Sequence, residues 1–334
     1  MRTMRSIGAS GDRPYAESRR YRGPDAISGY IQVTLPNAES TTVTRATYRF
    51  LDAVPASAEA IRRAAEAVVG EPVRVFVPAP GQSSWVGRGE TQFVYLARDE
   101  TGRERNVLEA ERLAWAARVG IRAPRVTAAD PGRTWLATAR VPDDPPMGPV
   151  YVGAALQAAD RIAAAPAPEG MLSGRRVRRA PRWSLPVRLA RMAASPIDVR
   201  EFAAARRNAL ALPADALTHG DFHPGNVLFD AGSGTVNVTD WENLGMAPPG
   251  TDQLALWCGL ETEDDREMVM DHLLTGTSLD EREGLLALRH WLALRTSADI
   301  ALTAGRFREP GHRAMLAAAL DRVREARRAD RVDQ

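Results

Sequence analysis

An α+β fold is what this sequence predicts, on three observations. Alternating apolar and polar residues fill 73–99 and 124–144 and read as strands. A proline-rich run, VPDDPPMGP at 141–149, interrupts both helix and strand and marks a boundary. Beyond it the chain is mainly helical, and strands first with helices later is the α+β order. At 334 residues the chain is long enough for one large or two modest domains.

Taken in order, residues 1–55 contain GYIQVTLPNAESTTVTRATYRFLD, which suggests an added hairpin whose role the sequence does not assign. The run VRVFVPAPGQSSWVGRGETQFVYLARD at 73–99 reads as two antiparallel strands around a Gly/Ser turn, the second ending in Tyr95-Leu96-Ala97-Arg98. A helix follows at 106–120, with Val107, Leu108, Leu113, Trp115 and Val119 forming an imperfect apolar face, and it stops at Gly120 before Pro124. Two short strands around an Asp-Pro-Gly turn fill 124–144. Helices are expected at 153–166 and 195–212, and again in TDQLALWCGLE, DDREMVMDHLL, DEREGLLALRHWLALRTSADIALTAG and HRAMLAAALDRVREARRAD. Within this helical half, NVLF and VNVTD flank the turn DAGSGT at 230–235 and pair as a hairpin.

Composition narrows the class. With 44% hydrophobic and 26% charged residues the chain resembles soluble globular proteins. Its apolar runs are broken well short of the ~20 residues of a spanning helix, so no membrane partner is expected. The first twenty residues lack the apolar core of a signal peptide and the chain has one cysteine, Cys258, which together suggest a cytoplasmic location. Cys258 in LALWCGL reads as buried packing. The chain contains no lysine, so its 44 basic residues are all arginine against 42 acids. A net charge of +2 and no recognised binding motif give no nucleic-acid partner. The arginine-dense GRRVRRAPRWSLPVRLARM at 174–192 and the acidic ETEDDRE at 261–267 read first as solvated faces. As functional surfaces they point in opposite directions, one to an anionic substrate, acidic peptide or protein, the other to a polycation.

The densest chemistry lies in THGDFHPGNVLFD at 218–230 and VTDWEN at 238–243. The hairpin brings together Asp221, Asn226 and Asp240, a set suited to a hard cation. Magnesium takes one or two protein oxygens, keeps several waters and binds substrate phosphates, so Asn226 and Asp240 are the candidate metal ligands. Asp221 then remains to orient or deprotonate an attacking hydroxyl. His219 and His223 read as residues that hold the loop through ring hydrogen bonds rather than as metal ligands, and zinc finds no convincing site.

These segments resemble the catalytic loop of the aminoglycoside phosphotransferase and choline kinase-like family. The pattern His-Gly-Asp-x-His-x-x-Asn is met by His219, Gly220, Asp221, His223 and Asn226, and a second motif by Asp240, Trp241 and Glu242. The resemblance covers roughly residues 57–305 and is specific around 218–252. It implies a protein-kinase-like bilobal fold: residues 56–143 as an N-lobe nucleotide-binding sheet and 144–334 as a helical C-lobe with catalytic loop and acceptor site, after an extension at 1–55. It implies ATP and Mg2+ as cofactors and Asp221 as the catalytic residue. The segment Pro80-Gly81-Gln82-Ser83-Ser84 loosely resembles the family's Gly-rich loop, which makes Gly81, Ser83 and Ser84 candidate phosphate contacts; alone it reads equally as a hairpin turn. Arg98 stands where relatives carry Lys, or in some branches Arg, and Glu109, preferred to Glu111 by its spacing from Pro124, is its expected partner. Surface charges are the alternative reading of that pair. Asp252 matches an acid that anchors the catalytic loop, and is also an ordinary helix-start acid. The implied activity is transfer of the γ-phosphoryl group to a hydroxyl of a small molecule: an aminoglycoside, another antibiotic or a metabolite alcohol. The alternative is a peptide-hydroxyl kinase or a pseudokinase-like binding protein acting with a peptide or protein partner in natural-product biosynthesis.

Overall fold

Short alternating runs bounded by Gly, Pro and Asp become strands, and the alanine-rich segments become helices. The computed structural model describes residues 31–33, 58–77, 83–144, 148–168, 196–303 and 310–332. Helix α1 (Ala58–Val69) buries Ile61, Ala64 and Ala65, while Arg62 binds Glu59 at 2.7 Å and Glu66 at 2.6 Å. It ends at Gly70, whose φ of 73° suits the left-handed residue that follows a helix.

Next comes a six-stranded sheet of β1 (Ile31–Val33), β2 (Arg74–Val77), β3 (Ser84–Arg88), β4 (Gln92–Ala97), β5 (Val126–Ala129) and β6 (Trp135–Ala139), in the order β1-β2-β3-β4-β6-β5. Of the expected N-terminal hairpin, the backbone of Ile31–Val33 pairs antiparallel with β2, and the rest lies outside the described residues. Where the sequence suggests two strands in 73–99, there are three. The second turn falls at Gly89–Thr91, where the Glu71 carboxylate accepts from the amides of Thr91 and Gln92 at 3.0 Å each and so fixes a reversal that carries no strong turn signature of its own. Val73, Val75, Val94 and Leu96 close the core against α1.

Helix α2 (Glu100–Arg118) starts at Glu100 rather than Asn106. Asp99 accepts from the Gly102 amide at 2.9 Å, and this N-cap sets the start where apolar periodicity gives no signal. The chain divides into two compact units, Met1–Asn106 with Thr127–Arg140 and Val107–Val126 with Val141–Gln334.

In the second unit, α3 (Gly148–Ala164) begins inside the proline-rich run instead of at residue 153. Pro149 sits in its first turn, where a missing N–H removes no helical hydrogen bond. Tyr151, Val152, Ala155, Leu156, Ala159 and Ile162 form its buried face. Helix α4 (Val199–Ala211) is capped by Asp198, which accepts from the amides of Arg200 and Glu201. Strand β7 (Ala216–Thr218) leads to the hairpin β8 (Val227–Asp230) and β9 (Thr235–Val238), and β10 (Gly245–Ala247) returns to pair antiparallel with β7. Helices α5 (Thr251–Gly259), α6 (Glu263–Leu274), α7 (Leu279–Thr303) and α8 (Pro310–Val332) complete the unit. Its core joins α3, α5 and α7 through Leu156, Leu254, Trp257 and Leu294. Cys258 lies in it, and burial pushes its thiol up to about 12, so it acts as packing. Among the described residues no helix is long and apolar enough to cross a membrane.

Candidate active site

The chain leaves β7 at Thr218 and turns sharply at Gly220, whose φ is 80°. A Cβ there would lie 2.4 Å from the Asn243 carbonyl oxygen, so both conformation and space demand glycine. Asp252, in the first turn of α5, locks this bend. Its carboxylate accepts from the amides of His219 at 2.6 Å and Gly220 at 3.0 Å. Burial pushes Asp252 up to about 7, opposed by those two amides and reinforced by the charge of Asp221.

From Gly220 the loop coils on itself. The amides of Asn226 and Val227 donate to the His223 carbonyl at 2.8 and 3.1 Å, and the Gly225 amide donates to His223 Nδ1 at 3.0 Å. Asn226 Nδ2 donates to the Asp221 carbonyl at 2.9 Å and approaches Asp221 Oδ2 at 3.4 Å. The amide is therefore oriented, with Oδ1 left as its acceptor. His223 Nε2 stands 4.0 Å from Asp221 Oδ2.

The hairpin registers Val227 with Val238, and the Thr239 amide donates to the Asn226 carbonyl at 2.9 Å, which sets Asp240 beside Asn226 at its open end. Asp240 is one of two described non-glycine residues with positive φ, at φ 59° and ψ 61°. Such a conformation costs about 1–2 kcal/mol and persists where the surroundings enforce it. The enforcement comes from Trp241. Its ring is fully buried, its Nε1 donates to the Val238 carbonyl at 2.9 Å, and it meets Trp115 and His219 edge-on at 5.7 and 4.8 Å. The Trp241 carbonyl accepts from Arg112 Nη1 at 2.6 Å.

His219 is fully buried, and neither ring nitrogen has a partner in hydrogen-bond geometry among the described residues. Burial pushes it down to about 4, against the opposing charges of Asp221 and Asp240, so the ring is neutral at pH 7. It serves as packing between Trp241 and Phe222.

Among the described residues no three His, Cys, Asp or Glu side chains converge on a metal site. One carboxylate, Asp240, and one oriented amide, Asn226, instead fit a hard cation that draws its other oxygens from phosphate and water. Asp221 is about 40% exposed at its side chain, so its carboxylate is open to solvent.

The other expected residues belong to other elements. Gly81 is outside the described residues. Ser83, Ser84 and Arg98 gather at one end of the β3–β4 pair, where Ser84 registers with Ala97 and the Arg98 amide donates to the Ser83 carbonyl at 2.8 Å. Ser84 is buried within the sheet, whereas Arg98 is exposed with its guanidinium 5.9 Å from the Trp85 ring centre. Glu109 is half-buried on α2, and its charge acts on Arg112 in the second unit. Arg98 belongs to the first unit and Glu109 to the second.

The profile of the phosphotransferase enzyme family matches residues 78–291, more than half of the chain. The chain belongs to the phosphotransferase enzyme family. Its fold resembles that of a choline/ethanolamine kinase family protein from Mesorhizobium loti, with TM-score 0.54 and 18% identity over 84% of this chain and 93% of that one. The streptomycin-ATP-APH(2")-IIa ternary complex is similar with TM-score 0.50 and 12% identity, over 75% of this chain and 91% of that one. At these identities the likeness establishes a protein-kinase-like fold. No curated protein sequence matches the chain.

Two contributors to this phosphotransferase-family site escape a sequence reading. Arg112 looks like one more surface charge on a charged helix, and its only signal is its place immediately before the buried Leu113. Asp144 lies in the proline-rich run, yet its amide donates to the Phe229 carbonyl at 2.9 Å and its carboxylate accepts from the Ala231 amide at 2.9 Å, fixing the far end of the β8–β9 hairpin.

Proposed function

We propose that this chain is an ATP- and magnesium-dependent phosphotransferase that moves a γ-phosphoryl group to a hydroxyl of a small molecule. The observation that carries this reading is the coiled loop in which Asp252 holds the His219 and Gly220 amides while the Asn226 amide is tied to Asp221, with the strained Asp240 beside it. So firm a scaffold around three oxygen-bearing side chains suits a reaction whose catalysis is alignment and charge compensation.

In this reading Asp221 accepts or orients the proton of the attacking hydroxyl. Asn226 and Asp240 hold magnesium, which when bound neutralises phosphate charge. Arg98, with Ser83 beside it, grips phosphate oxygens in place of the absent lysine, and Glu109 is its proposed counter-charge. The acceptor is an aminoglycoside, another antibiotic or a metabolite alcohol. The choline/ethanolamine kinase family protein and the streptomycin complex support that range through their fold only. A second reading, a peptide-hydroxyl kinase or pseudokinase-like binding protein, draws support from the complete lack of lysine.

Calorimetry with ATP and magnesium, with slow ATP hydrolysis followed in the same samples, tests the assignment. Asp240→Asn should weaken magnesium–ATP binding, and Asp221→Asn should retain binding while turnover falls by about 100-fold or more. Wild-type turnover by Asp221→Asn removes its catalytic role, and no binding by the wild type moves the reading to the second one.

A further inference from the structure

Arg112 is a buried charge that the chemistry above does not use. Only 9% of it is exposed, and it lies on α2 between the buried Ala110 and Leu113. Burying a guanidinium is costly unless its donors are met by good acceptors. Here one is met by a backbone carbonyl: Nη1 donates to Trp241 at 2.6 Å, across 129 residues of sequence. The surrounding carboxylates of Glu109, Glu242 and Glu111 offset the burial of the charge only in part, and burial lowers its pKa from the ordinary value.

The carbonyl it takes is significant. Trp241 follows Asp240, the residue at φ 59° and ψ 61°, and its carbonyl also accepts from the Leu244 amide at 3.1 Å to close the 3-10 turn Trp241–Asn243. On the other side of Asp240, the Thr239 amide is fixed to the Asn226 carbonyl at 2.9 Å. Asp240 is thus held at both flanks, by the hairpin before it and after it by Trp241, whose ring is fixed by burial and the Val238 carbonyl and whose carbonyl is fixed by Arg112. Without the hold on that carbonyl, the residue gains by relaxing toward negative φ, and its carboxylate turns with the backbone.

We infer that Arg112 is a positioning residue, which clamps the Trp241 carbonyl to keep Asp240 in its left-handed conformation and its carboxylate aimed at a divalent cation. The inference rests on the phosphotransferase reading for the role of Asp240, while the clamp itself stands on geometry alone.

Two readouts on Arg112→Gln, Arg112→Lys and the wild type test it, with Arg118→Gln, an exposed change on the same helix, as control. The first is hydrogen exchange at the Leu244 amide. Loss of the clamp should accelerate it about tenfold in Arg112→Gln while the β8–β9 amides stay as in the wild type. The second is the magnesium concentration for half-maximal ATP turnover, corrected for the folded fraction. Partners that orient a metal ligand typically change metal affinity about 10–100-fold, so this value should rise about tenfold with the acceptor KM unchanged. Arg112→Lys keeps a charged donor without the guanidinium fork and should fall between wild type and Arg112→Gln in both. Wild-type exchange at Leu244 in folded Arg112→Gln overturns the clamp. Faster exchange with an unchanged magnesium requirement overturns the positioning role. If Arg112→Gln does not fold, Arg112→Lys carries the test, and wild-type values in both readouts overturn the inference. Absence of turnover in the wild type removes the phosphotransferase reading, and the exchange measurement then decides the clamp by itself.

Discussion

Two hairpins present the charged groups of the proposed function, and they are held in different ways. At the end of β3–β4, Arg98 is exposed beside Trp85, and the backbone register sets its place, its amide donating to the Ser83 carbonyl. At the mouth of β8–β9, Asp221, Asn226 and Asp240 sit in backbone fixed by Asp252, Arg112 and the Trp241 ring, each from a different element of the second unit. Under the proposed function the contrast reflects what each would supply. An exposed arginine can follow a phosphate, because its charge acts at a distance and its fork adapts. A carboxylate and an amide that share one small cation tolerate errors of only a few tenths of an ångström.

The contrast is sharpest at Asp252. Asp252→Ala leaves the buried His219 amide and the half-buried Gly220 amide without their acceptor, each costing about 1–3 kcal/mol, so chemical denaturation should show a loss of about 2–6 kcal/mol together with loss of turnover. A loss below about 1 kcal/mol would show that the loop holds itself. Gly220→Ala comes next. The left-handed backbone alone costs about 1–2 kcal/mol, and the Asn243 carbonyl must also shift, so thermal unfolding should fall by several degrees.

Small only in sum is a pH effect with two opposed parts. The Asp252 carboxyl, pushed up to about 7 from 3.8, makes the fold more stable as pH falls from 7 toward 4, because the folded state takes up a proton that the unfolded chain does not yet bind. The His219 ring, pushed down to about 4 from 6.5, does the reverse between 6.5 and 4. In the wild type the two offset each other. His219→Phe deletes the second part, so relative to wild type its urea midpoint should gain as pH drops from 6.5 to 4. Parallel pH profiles for the two proteins would show that His219 is not held neutral. The smallest effect belongs to the first hairpin: Arg98→Ala should change folding stability by less than about 0.5 kcal/mol while weakening ATP binding in calorimetry. Equal stability losses at Arg98 and Asp252 would erase the comparison.

Legibility in the sequence follows the same division. The candidate loop at 218–230 and its hairpin were readable as structure because their parts lie close along the chain, and a two-strand hairpin with a Gly-containing turn suffices to bring them together. The start of α2 was not, since residues 100–105 carry no apolar stripe and the Asp99 cap decides it. Nor was the start of α3, where prolines that usually break helices lie next to the one turn that accepts them. Strand β10 is a three-residue segment whose existence depends on its partner β7. The roles of Arg112 and Asp144 depend on contacts across 129 and 87 residues.

By itself, then, the sequence determined the α+β order, the family motifs and the identity of the oxygen-bearing side chains, because these rest on local periodicity and short spacing. Only the tertiary structure decided that Asp240 stands in a left-handed conformation, that Asp252 rather than solvent receives the loop amides, and that a helical arginine donates to the carbonyl just after Asp240. The physical reason is that burial sets the strength of each of these bonds, and burial is a property of packed elements distant in sequence.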